Sequence, residues 1–157
     1  MVHAINQAAF GRPDEADLVD HLRAEGVALV SLVAELEKRL VGHLLFSRVW
    51  IDTTGTSIPA VALAPMAVLP GYQRHGIGGR MIQLGLNLLR QRDEQIVIVL
   101  GHPDYYPRFG FGRARQFGLK DVYGAPDEAF MAMELVEGAL SPCAGLVHYQ
   151  PEFDRFV

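Results

Sequence analysis

An almost unbroken apolar run at residues 60–69, with Pro65 at its centre, constrains this chain more than any other stretch. Uniform apolarity marks a strand covered on both faces, yet a proline has no N–H to give to a sheet ladder. Both conditions are met only where the strand bulges or splays near Pro65. A glycine-rich loop follows at 71–80, and after it an amphipathic helix. Ile77, Met81, Leu84 and Leu88 recur at steps of four, three and four, with Ile82 and Leu89 beside them. Arg80, Gln83, Asn87 and Arg90 form the opposite face, so one side of this helix packs on a sheet and the other meets water.

The glycines of the loop (Gly71, Gly76, Gly78, Gly79) can take positive φ and let backbone N–H groups approach a ligand. A helix starting at the end of the loop adds unpaired donors and the positive end of its dipole, and Arg74 and Arg80 add full charges. The stretch reads either as an anion site or as a tight turn from strand to helix. Two familiar phosphate loops fail on spacing. The nucleoside-triphosphate loop would need Lys and Ser or Thr where Ile77 and Gly78 stand. The dinucleotide fingerprint meets Met81 at its last position, and the next strand, 96–100, ends in Gly101-His102 without an acid for a ribose.

What remains, Gln73-Arg74-His75-Gly76-Ile77-Gly78, resembles the Q/R-x-x-G-x-G/A loop of the GNAT acetyltransferase superfamily, which also follows a broken strand. Residues 101–111 resemble the segment after the fifth strand in a bacterial subgroup of that superfamily, with Tyr106 before Gly110-Phe111 at the family spacing. Weaker similarity runs from about Val2 to Phe153. The resemblance implies an α/β (α+β) fold, a mixed and mostly antiparallel central sheet with helices on both faces. It implies acetyl-CoA as cosubstrate, its pantetheine arm beside Met66, Ala67 and Val68. The pyrophosphate would lie on Gln73, Arg74, His75, Gly76, Ile77, Gly78, Gly79 and Arg80. Val68 would offer its backbone N–H to the thioester oxygen, and Tyr106 would serve as general acid, with Tyr105 as the adjacent competitor. Transfer to a primary amine would be direct, since no Ser or Cys stands in an activating motif. A non-catalytic acyl-CoA-binding or regulatory module is the alternative.

Elsewhere the chain reads plainly. Its 157 residues make one domain, and a single cysteine, Cys143, excludes an intrachain disulfide and fits a cytoplasmic protein. No signal peptide or membrane span is visible. A formal charge of -4 argues against nucleic acid as partner. No HExxH-like spacing is present, so no metal is expected. Short helices are expected near residues 5–10 and from Pro13, strands at 27–36 and 40–52 around a turn at 37–39, and closing strands at 129–135 and 145–150. Residues 116–123 are ambiguous. The first strand usual in the superfamily is missing from this reading. The chain is then shortened relative to its relatives, or the sheet edge is covered by solvent or by a second subunit in a homodimer. His43 and Trp50 read as packing residues, and Asp14, Glu15, Asp17 and Asp20 stay unassigned. The acceptor, a small molecule or a peptide amine, has no sequence signature here.

Overall fold

The structure, a computed structural model, describes Val2, Ala4, Ile5, residues 28–141 and residues 143–149. Among the described residues eight strands form one sheet: β1 (Ala28–Leu36), β2 (Arg39–Thr53), β3 (Thr56–Val68), β4 (Ile96–Leu100), β5 (Gly112–Arg113), β6 (Leu119–Asp121), β7 (Phe130–Glu134) and β8 (Gly145–His148). Their order is β5-β7-β4-β3-β2-β8-β6, with β1 also paired to β2. Only β3 with β4 and β6 with β8 run parallel, so the sheet is mixed and mostly antiparallel, as expected. The β1–β2 hairpin turns on Glu37 and Lys38 at φ 50° and 64°, the left-handed pair that matches strand twist in a two-residue loop. The ambiguous 116–123 stretch resolves into a short 3-10 turn, Ala114–Phe117, followed by β6.

Helix α1 (Ile77–Gln91) crosses from β3 to β4 over one face of the sheet. Side chains alternate along the central strands, so Val97 and Val99 join Phe46, Leu63, Ile82 and Leu86 under α1. Ile96 and Ile98 join Val49, Ile51, Ala132 and Leu119 on the far face. Both faces of β3 and β4 are therefore covered, which is why these strands are written in continuous apolar residues. Val2, one of the few described residues of the N-terminal region and helical there, packs against Leu45 on the far face. The remaining expected N-terminal helices, the missing first strand, the acids at 14–20 and the tail with Phe153 and Phe156 lie outside the described residues.

One helix reading needs correction. The buried face of α1 is Gly78, Met81, Ile82, Gly85, Leu86 and Leu89, whereas Leu84 is 54% exposed. Counting apolar residues placed the stripe too far round, because two of the buried positions are glycines. Gly85 lets the helix settle on the sheet: a Cβ there would stand 2.3 Å from the ring of buried Phe46. Downstream, Arg48 of β2 forms a two-pronged ion pair with Glu94 and also donates to the carbonyl of Ala60 at 3.2 Å. This clamp ties the end of the crossover to the centre of the sheet. His43 is fully buried, with Nε2 2.9 Å from the hydroxyl of Ser31, while Trp50 is 44% exposed beside His148. Among the described residues no helix is long and apolar enough to cross a membrane.

The Gly85–Phe46 contact yields an expected outcome. Intrinsic helix propensity favours Gly85→Ala by about 1 kcal/mol, but overpacking a filled core costs about 1–3 kcal/mol. With an overlap this deep, urea denaturation should show a net loss of stability that shrinks in a Phe46→Leu background. A more stable Gly85→Ala protein would show that the helix does not sit on Phe46.

Candidate active site

The site begins where the sheet loses its register. Phe46 faces Leu63 and Leu44 faces Met66, so Ala64 and Pro65 share the space opposite Leu45 alone. This is a β-bulge, placed where Pro65 removes a ladder donor, and the Ala64–Pro65 peptide is cis. On the other side, β3 pairs with β4 only at Val61–Val97 and Ala62–Ile98. Beyond those pairs the strands part. The Leu69 N–H donates to Val41 O at 2.8 Å, toward β2. By strand alternation the peptide groups of Ala67 turn the same way, and those of Met66 and Val68 face the gap. The Val68 carbonyl there accepts from the Gln73 side chain at 2.9 Å, and the Val68 N–H lies beyond the last β3–β4 pair.

The loop that follows delivers a second row of donors beside the gap. Residues Pro70–Tyr72 make one 3-10 turn, Arg74 takes φ 66° and Gly76 takes φ 81°, and α1 starts at Ile77. Of the loop glycines only Gly76 needs the left-handed region, while Gly71 neither takes positive φ nor meets a neighbour. The first helical bond is Arg80 N–H to Gly76 O at 3.1 Å, and no side chain caps the helix. Among the described residues the N–H groups of Ile77, Gly78 and Gly79 are therefore unpaired, and they lie at the positive end of the dipole. Gly78 and Gly79 serve clearance: a Cβ on Gly78 would come 3.0 Å from the Tyr105 hydroxyl, and one on Gly79 3.4 Å from the Phe109 ring.

Gap and loop open into a single groove of about 1220 Å³. Met66, Val68, Gln73, Arg74, Gly76, Ile77, Gly78, Gly79, Tyr105 and Tyr106 all line it. Ala67, His75 and Arg80 do not: Ala67 is a buried residue of β3, and the other two are exposed. Tyr106 is only 8% exposed, packed edge-on to Tyr105 and Phe111, and a Cβ on Gly101 would overlap its ring. Burial, with a smaller push from Tyr105, raises its pKa to about 12. Tyr105 is also raised by burial, against the pull of the Arg108 guanidinium. Among the described residues no acidic side chain lines the groove, while Arg74 and Arg108 do. Among the described residues no cluster of His, Cys, Asp and Glu could hold a metal.

The family model for the acetyltransferase (GNAT) domain matches residues 1–114 of this chain. The chain belongs to the GNAT acetyltransferase family. It is 42% identical over 130 residues to the uncharacterized N-acetyltransferase YjhQ of Escherichia coli K12, covering 81% of this chain and 72% of YjhQ. It is 33% identical over 156 residues to YhbS of the same organism, covering 99% and 92% of the two chains. The crystal structure of E. coli YhbS in complex with CoA superposes at a TM-score of 0.91, with 32% identity, over 99% of this chain and 86% of that one. A GNAT acetyltransferase of Brucella melitensis in complex with acetyl-CoA follows at TM-score 0.79, again 32% identical, over 98% and 90% of the chains.

Some groove residues of this GNAT acetyltransferase escaped sequence reading. Arg108 lies inside the 101–111 segment whose tyrosines drew attention, and only its stacking 4.9 Å over the Tyr105 ring singles it out. Tyr123 and Tyr149 line the groove from the far face of the sheet, with rings 5.2 Å apart. They meet only through topology and leave no local pattern.

The raised pKa of Tyr106 sets a pH dependence. A group whose pKa rises on folding stabilises the fold below its unfolded value and loses that contribution as pH climbs through the folded one. Urea denaturation at pH 9 and at about pH 12 should show wild type losing about 2 kcal/mol more than Tyr106→Phe. Equal losses would mean that the Tyr106 hydroxyl is not held in a dry environment.

Proposed function

We propose that this acetyltransferase moves the acetyl group of acetyl-CoA directly onto a primary amine, within the gap between β3 and β4. The observation that carries the reading is the continuity of two sets of unpaired donors. The peptide groups of Met66 and Val68 face the gap, and the N–H groups of Ile77, Gly78 and Gly79 face the adjoining groove. The first set suits the amides of an extended pantetheine arm, as a strand edge takes up an added strand. The second suits a diphosphate, assisted by Arg74. The CoA and acetyl-CoA complexes of YhbS and of the Brucella protein support this choice of cosubstrate.

The residues then divide the chemistry. Val68 offers its N–H to the thioester oxygen as negative charge builds there, a contribution of about 3 kcal/mol in acyl-transfer sites. The acceptor attacks as the free amine, so its proton, held with an ordinary pKa of about 10.4, must leave first. The C–N bond forms as the C–S bond breaks, and the sulfur departs as a thiolate. Tyr106 meets that sulfur with a hydroxyl that stays protonated throughout the working pH range. Its pKa of about 12 lies above the roughly 8.5 of a thiol, so Tyr106 keeps its proton and stabilises the developing thiolate by a hydrogen bond, and the proton that the nitrogen sheds on becoming an amide neutralises the sulfur. Tyr105 is turned toward Gly78 and away from this task.

Thermal unfolding and thiol release test the reading. Acetyl-CoA at about 100 times its dissociation constant should add about 2.7 kcal/mol of stability, whereas ATP and NAD should add none. With an amine from a screened panel, Tyr106→Phe should lower kcat by about a hundredfold and leave CoA affinity within about twofold. Unchanged turnover in Tyr106→Phe, or stabilisation by ATP equal to that by acetyl-CoA, would refute it.

A further inference from the structure

Tyr105 and Tyr106 are adjacent in sequence, but their rings stand at 84° to one another with centroids 5.1 Å apart. Tyr106 packs toward Gly101 and Phe111, while the Tyr105 hydroxyl reaches the first turn of α1. It stands 3.0 Å from where a Cβ on Gly78 would be, and the Met66 thioether lies 3.3 Å from the same point. Burial keeps this hydroxyl in its neutral, donating form. Arg108 lies over the outer face of the Tyr105 ring at 4.9 Å and lines the groove, and no carboxylate among the described residues pairs with it. Beside the Met66 thioether, the polar groups that converge here among the described residues donate or are cationic: the Tyr105 O–H, the Arg108 guanidinium, and the N–H groups of Gly78 and Gly79.

We propose that Tyr105 and Arg108 form a second wall of the diphosphate site, facing the glycine-rich loop across the groove. Tyr105 donates to a phosphate oxygen seated on the first turn of α1, and Arg108 neutralises charge from outside. The paired tyrosines thereby divide their work, Tyr105 gripping the acyl carrier and Tyr106 serving the sulfur. The stacking explains the arrangement, because the ring holds Arg108 over the groove and the guanidinium holds the ring over Gly78. A side chain at Gly78 would crowd the Tyr105 hydroxyl, since a Cβ there stands 3.0 Å from it. The proposal rests on the acyl-carrier reading of the site.

Calorimetric titration of the full chain with CoA and with dephospho-CoA separates the possibilities, since both carry the diphosphate and only CoA carries the 3′-phosphate. Tyr105→Phe should weaken both by about 10- to 100-fold, the scale of a hydrogen bond to a charged group. Arg108→Gln, at an exposed position, should weaken both by about 3- to 10-fold and flatten the salt dependence of affinity. It keeps the test open should Tyr105→Phe fold poorly by thermal melt. Affinities within twofold of wild type in both variants would overturn the proposal, and a loss confined to CoA would move the wall to the 3′-phosphate and overturn it equally. Failure of wild type to bind either nucleotide would instead bring down the acyl-carrier reading, and the proposal with it.

Discussion

The pairing between β3 and β4 stops after Ala62 and Ile98, and every feature of the site depends on that interruption. Pro65 cannot donate to a ladder, so β3 bulges against β2 at Ala64 and Pro65 and leaves β4 on its other side. A continuous parallel ladder would have consumed the peptide groups that now face the groove. An apolar strand normally hides its backbone polar groups as well as its side chains. Here the side chains stay packed on both faces while part of the backbone is released.

Released donors are useful only if they stay where they are. Gly85 brings α1 down onto Phe46, and the Arg48–Glu94 pair fixes the far end of the crossover to β2. The first turn of α1 is thereby held beside the gap, and Gly78 and Gly79 leave it bare enough for Tyr105 and Phe109 to close over it. A rigid sheet, a seated helix and an uncapped turn make a preorganised surface, in which donors need little rearrangement to meet developing charge.

Much of this was legible in the sequence because it rests on local chemistry. The proline inside an apolar run announced the bulge, and the glycine-rich stretch announced the uncapped helix start. The next strand, 96–100, was legible as a short apolar run. What could not be read depends on three-dimensional packing. Leu84 fits the apolar period yet faces solvent, because glycines 78 and 85 occupy the buried stripe. Ala67, His75 and Arg80 stand in the same segments as the lining residues without lining the groove themselves. Arg108 matters by stacking on a ring, and Tyr123 with Tyr149 by meeting across the fold.

The central claim is that the backbone donors of the β3 edge and of the first turn of α1 are left open for an acyl carrier. Amide hydrogen exchange followed residue by residue addresses it directly. The N–H groups of Val68, Ile77, Gly78 and Gly79 should exchange fast in the free protein and become protected on saturation with CoA, while Leu69, bonded to Val41, is protected throughout. Amides already protected without CoA, or unchanged by it, would contradict the account.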